Sequence, residues 1–66
     1  MQMTQQQVLE LTNPQKFDAY FFKLCQQHTQ EQAYEILEDY YSALFKTRRY
    51  ANFESYRISR HKRLRG

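Results

Sequence analysis

TQEQAYEILEDYYSALFK, residues 29–46, carries the clearest periodicity in the chain. Ala33, Ile36, Leu37, Tyr40, Tyr41 and Leu44 recur at i, i+3, i+4, i+7, i+8 and i+11, which is one face of a helix. Thr29 and Gln32 have the spacing of a capping box, in which each side chain bonds the other's backbone N–H. Glu31 and Glu35 lie near the helix start and Lys46 to Arg49 at its end, each sign where the helix dipole favours it. Pattern, cap and charge agree, so the spacing predicts a helix over 29–46.

Upstream, Asn13-Pro14 pairs a strong N-cap with the residue favoured at the first helical position. Phe17, Tyr20, Phe21, Leu24 and His28 then make an apolar stripe at i, i+3, i+4, i+7 and i+11, which predicts a helix over 14–27. Phe22 lies off that stripe. The short link at His28-Thr29 predicts that the two helices fold back as a hairpin. Residues 1–12 form a separate N-terminal segment. Its Thr4/Gln7 capping-box spacing allows a short helix over roughly 4–11 that docks Val8 and Leu11, and the same Gln-rich run also suits a flexible tail.

Downstream, Thr47 to Ala51 reads as a connection, and Asn52 or Ser55 can cap a last helix over about 53–63. Phe53, Tyr56, Arg60 and Leu64 share one of its faces, and Ile58 does not. The expected fold is therefore all-α: a small three-helix domain over 13–66, to which the N-terminal segment can add a short fourth helix. It combines a helical hairpin with a basic C-terminal helix and is helix-turn-helix-like. The expected core is Phe17, Phe21, Leu24, Ile36, Leu37, Tyr40, Leu44, Phe53 and Tyr56.

Composition agrees. Sixty-six residues make one small domain, and a chain this short buries only about 60% of the surface it exposes when unfolded. Cys25 is alone and no Cys/His cluster offers a zinc staple, so stability must come from apolar packing. Eleven Phe and Tyr side chains supply it, and one Gly and one Pro leave few turns for an all-β chain.

The net charge of +3 divides unevenly. Residues 1–45 hold two lysines against six carboxylates, a net −4. Residues 46–66 hold eight Lys and Arg side chains against Glu54, a net +7. Such asymmetry points to an anionic partner (nucleic acid, an acidic protein or an anionic membrane surface) or to a solvated charged end that keeps the protein soluble. The run from Arg48 to Arg63 interleaves cations, aromatics and small polar residues. On a helix, Arg57, Arg60, His61 and Leu64 project to one side with Arg63 adjoining. Such a face can enter a groove and meet phosphates and base edges, while Arg48 and Arg49 clamp the backbone. The candidate nucleic-acid contacts are Arg48, Arg49, Arg57, Arg60, His61, Lys62 and Arg63. Tyr50, Phe53 and Tyr56 either stack on unpaired bases or fill the core.

The chemistry of an enzyme is not visible. His28 and His61 have no partner at metal-ligand spacing, the serines lack a His/Asp context, and the only Gly is residue 66. Glu31, Glu35, Glu38 and Asp39 read as a solvated or salt-bridged acidic face, and Cys25 as a structural or incidental thiol. No cofactor, metal or small-molecule substrate is expected.

Arg48-Arg49-Tyr50, Ser55-Tyr56-Arg57 and Ser59-Arg60 resemble a stretch in small helical proteins of prophages and mobile elements, over roughly 34–65. That family carries no assigned activity, so the resemblance implies only a phage-like setting. The expected function is a non-enzymatic nucleic-acid-binding module, DNA favoured, in an accessory or regulatory role. The alternative is a protein-interaction module, as a homo-oligomer or with an acidic protein, anchored by Phe22, Tyr34 and Tyr41. A membrane partner is not expected, because the last helix has few apolar residues to bury in lipid. No apolar run approaches the ~18 residues of a membrane span, the start lacks the order of a secretory signal, and the lone cysteine suits the cytoplasm.

Overall fold

A computed structural model describes residues 2–65. Four α-helices follow one another: α1 (Gln5–Glu10), α2 (Pro14–Leu24), α3 (Gln30–Phe45) and α4 (Phe53–Arg65). There is no strand among the described residues, and none of the four helices is long and apolar enough to cross a membrane.

The caps form where the local sequence sets them. The Thr4 hydroxyl accepts from the Gln7 N–H, and the Gln7 side chain accepts from the Thr4 N–H at 2.9 Å. Thr29 and Gln32 repeat that exchange at the start of α3. Asn13 Oδ1 accepts from the Gln15 N–H and Pro14 opens α2. Of the two candidate caps for α4, Asn52 is used: its side chain accepts from the Ser55 N–H at 2.8 Å.

Two boundaries differ from the sequence expectation by more than one residue. The regular helix of α2 stops at Leu24 rather than Gln27, because the N–H groups of Gln26 and Gln27 bond three residues back, to Lys23 and Leu24. Such tightening is common in a last turn, and it leaves 25–29 as the link of the hairpin. α4 runs on to Arg65. The stop of α3 carries strain: Lys46 adopts φ 64°, a left-handed conformation that costs a side-chain-bearing residue roughly 1–2 kcal/mol. Its N–H still reaches the Ser42 carbonyl at 2.9 Å, so the helix end is closed.

α3 is the hub, packing against α1, α2 and α4. One core draws on all four helices, and α1 is a docked element of it. Met3, Val8 and Leu11 are buried together with Phe17, Phe21, Leu24, Ala33, Leu37 and Tyr56. Ile36, Tyr40, Leu44 and Phe53, expected at the centre, are half-buried at its margin. The centre belongs instead to Tyr34, which has no exposed surface. Its ring stacks on Tyr56 at 5.5 Å and meets Phe53 at 5.6 Å, while Phe17 packs on Tyr56 at 5.0 Å and on Tyr50 at 5.4 Å. Aromatic pairs of this kind add roughly 0.5–1.5 kcal/mol each beyond the area they bury. Tyr34 therefore cannot anchor a partner, as the sequence reading proposed for it. Nor can the buried Tyr56 stack on bases, and the half-buried rings of Tyr50 and Phe53 pack on Tyr56 and Tyr34 respectively.

Candidate nucleic-acid interface

Two carboxylates, neither on α4, sort the cations of 46–65 into held and unheld. The first is Glu38 of α3, expected on a solvated or salt-bridged face but only 1% exposed. Its Oε1 accepts from the Arg49 N–H at 2.8 Å and its Oε2 from the Tyr50 N–H at 2.9 Å. The Tyr34 hydroxyl donates a short hydrogen bond to the same carboxylate. A side chain four residues from Tyr34 thus fixes the backbone of the loop that leads into α4. Burial, and then the bond to Glu38, push the Tyr34 hydroxyl pKa well above its ordinary value, so it remains a donor.

Around this centre Arg48 and Arg49 are engaged within the fold. Arg48 pairs with Glu35 at 3.3 Å and also donates to the Tyr34 hydroxyl and the Tyr50 carbonyl. Arg49 donates to the Thr12 carbonyl at 3.4 Å, and its guanidinium lies 4.8 Å over the Tyr50 ring.

The second carboxylate is Asp18 of α2. Arg63 grips it with two bonds, Nη2 to Oδ1 at 2.7 Å and Nε to Oδ2 at 3.1 Å. The Tyr56 hydroxyl donates to Oδ1 at 2.7 Å, and Arg63 also donates to Ser59 Oγ. Tyr56 and Arg63 are seven residues apart, two helical turns, so both reach the inner side of α4. Bidentate Arg–carboxylate pairs combine geometric fit with charge, and this one ties α4 to α2. Burial above all, then the bond to Asp18, raises the Tyr56 pKa strongly.

The other basic side chains of α4 face outwards. Arg57, His61, Lys62 and Arg65 are exposed. Among the described residues only Arg57 of these has an acidic partner, Glu54 at 3.3 Å, and that pair is itself well exposed. Arg60 is half-buried and forms no hydrogen bond or ion pair with the described residues; its guanidinium carbon lies 5.1 Å from the Phe21 and Phe22 ring centroids. A shallow hollow along α4 is lined by Arg57, Ile58, Arg60, His61, Lys62 and Arg65, with Glu54 at its edge.

Of the seven candidate residues, the structure thus gathers Arg57, Arg60, His61 and Lys62 on one surface. It turns Arg48, Arg49 and Arg63 to internal partners. Arg65 was not among the candidates and belongs with the first group; its place three residues beyond Lys62 and four beyond His61 was the available signal. The roles of Asp18 and Glu38 had no local signal, since their partners lie up to 45 residues away.

Other chemistry is sparse. No group of three or more His, Cys, Asp or Glu side chains is placed to hold a metal ion among the described residues. Burial pushes the Cys25 thiol pKa up, and nearby Arg60 opposes that only in part, so the reactive thiolate is disfavoured. No protein-family model, no curated protein and no solved structure matches the chain.

Proposed function

We propose that this protein is a non-enzymatic nucleic-acid-binding module that meets phosphates with the outward face of α4. The observation that carries the reading is the concentration there of Arg57, His61, Lys62 and Arg65, opposed by Glu54 alone, with Arg60 at the margin. Exposed cations in such a row attract a polyanion and release its counterions on contact. A regulatory or accessory role, with DNA the favoured ligand, fits a chain of this size, and the resemblance of 34–65 suits a mobile-element setting.

The link between α3 and α4, residues 46–52, is longer than the three- or four-residue turn of a DNA-binding helix-turn-helix. Phosphate contact along α4 does not depend on that turn. A second reading is a protein-interaction module. It is favoured by a shallow apolar hollow between α1 and α3, where Met3, Val8, Tyr40 and Leu44 meet.

The test is fluorescence anisotropy of labelled duplex and single-stranded oligonucleotides. Four phosphate contacts, from Arg57, Arg60, Lys62 and Arg65, give a slope of log affinity on log salt of about −3.6 for a duplex, near a hundredfold loss between ~50 and ~200 mM. Arg57→Ala with Lys62→Ala reduces that slope by about two contacts' worth. No binding at low salt, or a salt-independent affinity, defeats the reading and turns the search to the α1/α3 hollow.

A further inference from the structure

Phe22 is the one large apolar side chain of α2 left in the open, 49% exposed. It is off the stripe that faces the core, and it stands beside α4 through Arg60. The Phe21 and Phe22 rings meet edge to face at 5.7 Å, and the Arg60 guanidinium lies over both. Phe21 is buried, so Phe22 is the exposed part of this ledge.

Arg60 is unusual among the arginines of the chain. Arg48, Arg57 and Arg63 each have a carboxylate, and Arg49 has a carbonyl. Arg60 has two aromatic rings instead, and its Nε is buried with no hydrogen-bond acceptor among the described residues. A guanidinium held by aromatic contact keeps its charge, and its remaining donors are not committed to an acid. Arg60 also lines the hollow of the outward cationic face, so ledge and cations form one surface.

The occupant that matches both parts is planar and carries negative charge at regular intervals. An acidic peptide supplies charge without an obligatory ring. A base paired inside a duplex presents its edge and keeps its faces covered by its neighbours. An unpaired base offers a free π-face for Phe22, while the flanking phosphates meet Arg60, Arg57 and Lys62. We infer that the Phe22–Arg60 ledge stacks an unpaired base, so that α4 takes its nucleic acid single-stranded at that point. This rests on the phosphate-binding reading above and adds a contact that salt does not screen.

The chain has no tryptophan, so Phe22→Trp places a single reporter on the ledge. The probes are an oligothymidylate of about twelve nucleotides, within the range of single-strand site sizes, and a hairpin duplex. The tryptophan emission of Phe22→Trp is expected to be quenched by the single strand and not by the duplex. Phe22→Ala is expected to lose roughly 5- to 150-fold in single-strand affinity, the worth of one base–aromatic stack, with its salt slope unchanged. Phe22 is exposed, so both variants should retain the helical circular dichroism of the parent. If Phe22→Ala binds the single strand like the parent, or the emission ignores it, the stack is wrong and phosphate binding stands. If the parent binds neither probe at low salt, both readings fall together.

Discussion

Arg63 and Arg65 are two residues apart on α4, and their surroundings are opposite. Arg63 is clasped by Asp18 and Ser59 on the inner side, and Arg65 is exposed with no acid within reach among the described residues. The same division runs through the whole basic end. Arg48, Arg49 and Arg63 bond to other elements of the fold, whereas Arg57 pairs only within α4 and His61, Lys62 and Arg65 have no hydrogen-bond or ion-pair partner among the described residues. A count of positive charge therefore overstates the surface open to a partner. It also misses that the held arginines give the outward ones a rigid helix to stand on. Removing a residue on the inner side should cost stability, and removing one on the outer side should cost binding.

The largest expected effect lies on the inner side. Glu38→Ala leaves the N–H groups of Arg49 and Tyr50 without their acceptor, and the Tyr34 hydroxyl with only the Tyr50 carbonyl at 3.3 Å. Each buried group left unsatisfied costs about 1–3 kcal/mol. A domain of this length has a total stability of roughly 3–10 kcal/mol. The variant is expected to be mostly unfolded at room temperature by circular dichroism, with urea denaturation losing its cooperative step. A cooperative transition shifted by less than about 1 kcal/mol would show that Glu38 is not what holds the loop.

The sequence made the helices legible because each is set locally. Two capping boxes, Asn13-Pro14 and the apolar spacing of 33–44 act within a few residues, and all four helices follow from such signals. The weak points are those where distant partners decide. Tyr34 fell off the i, i+3, i+4 stripe that begins at Ala33, yet it is central. α3 is covered on three sides by α1, α2 and α4, so its buried surface is broader than one stripe. Glu38 looked like part of an acidic face because nothing nearby indicates that the loop 11 and 12 residues on would turn its N–H groups back. The candidate site was legible as a basic helix, but its division was not. Which arginine is held depends on Asp18, far back on α2.

Asp18 supplies the intermediate effect. Asp18→Ala strips Arg63 and the Tyr56 hydroxyl of their shared acceptor. Breaking a fully buried pair costs about 3–5 kcal/mol; this pair is partly open to water, and about 2–3 kcal/mol is expected. Asp18→Asn keeps an acceptor for Tyr56 and should lose about half as much. Urea midpoints of the two variants measure the difference. Equal midpoints for Asp18→Ala and the parent would remove the contrast between Arg63 and its outward neighbours.

The smallest effect is the one that sharpens the contrast most. Arg57→Ala, Lys62→Ala and Arg65→Ala are each expected to change stability by less than about 0.5 kcal/mol. The exposed Arg57–Glu54 pair is worth a few tenths of a kcal/mol at most, and alanine's better helix propensity offsets part of that. If these positions serve a ligand, the same three substitutions lower nucleic-acid affinity while the urea midpoint stays in place. If a substitution here moved the midpoint as far as Asp18→Ala does, the outward cations would be structural after all. The helix would then have no side free for a partner, and its charge would be explained by folding alone.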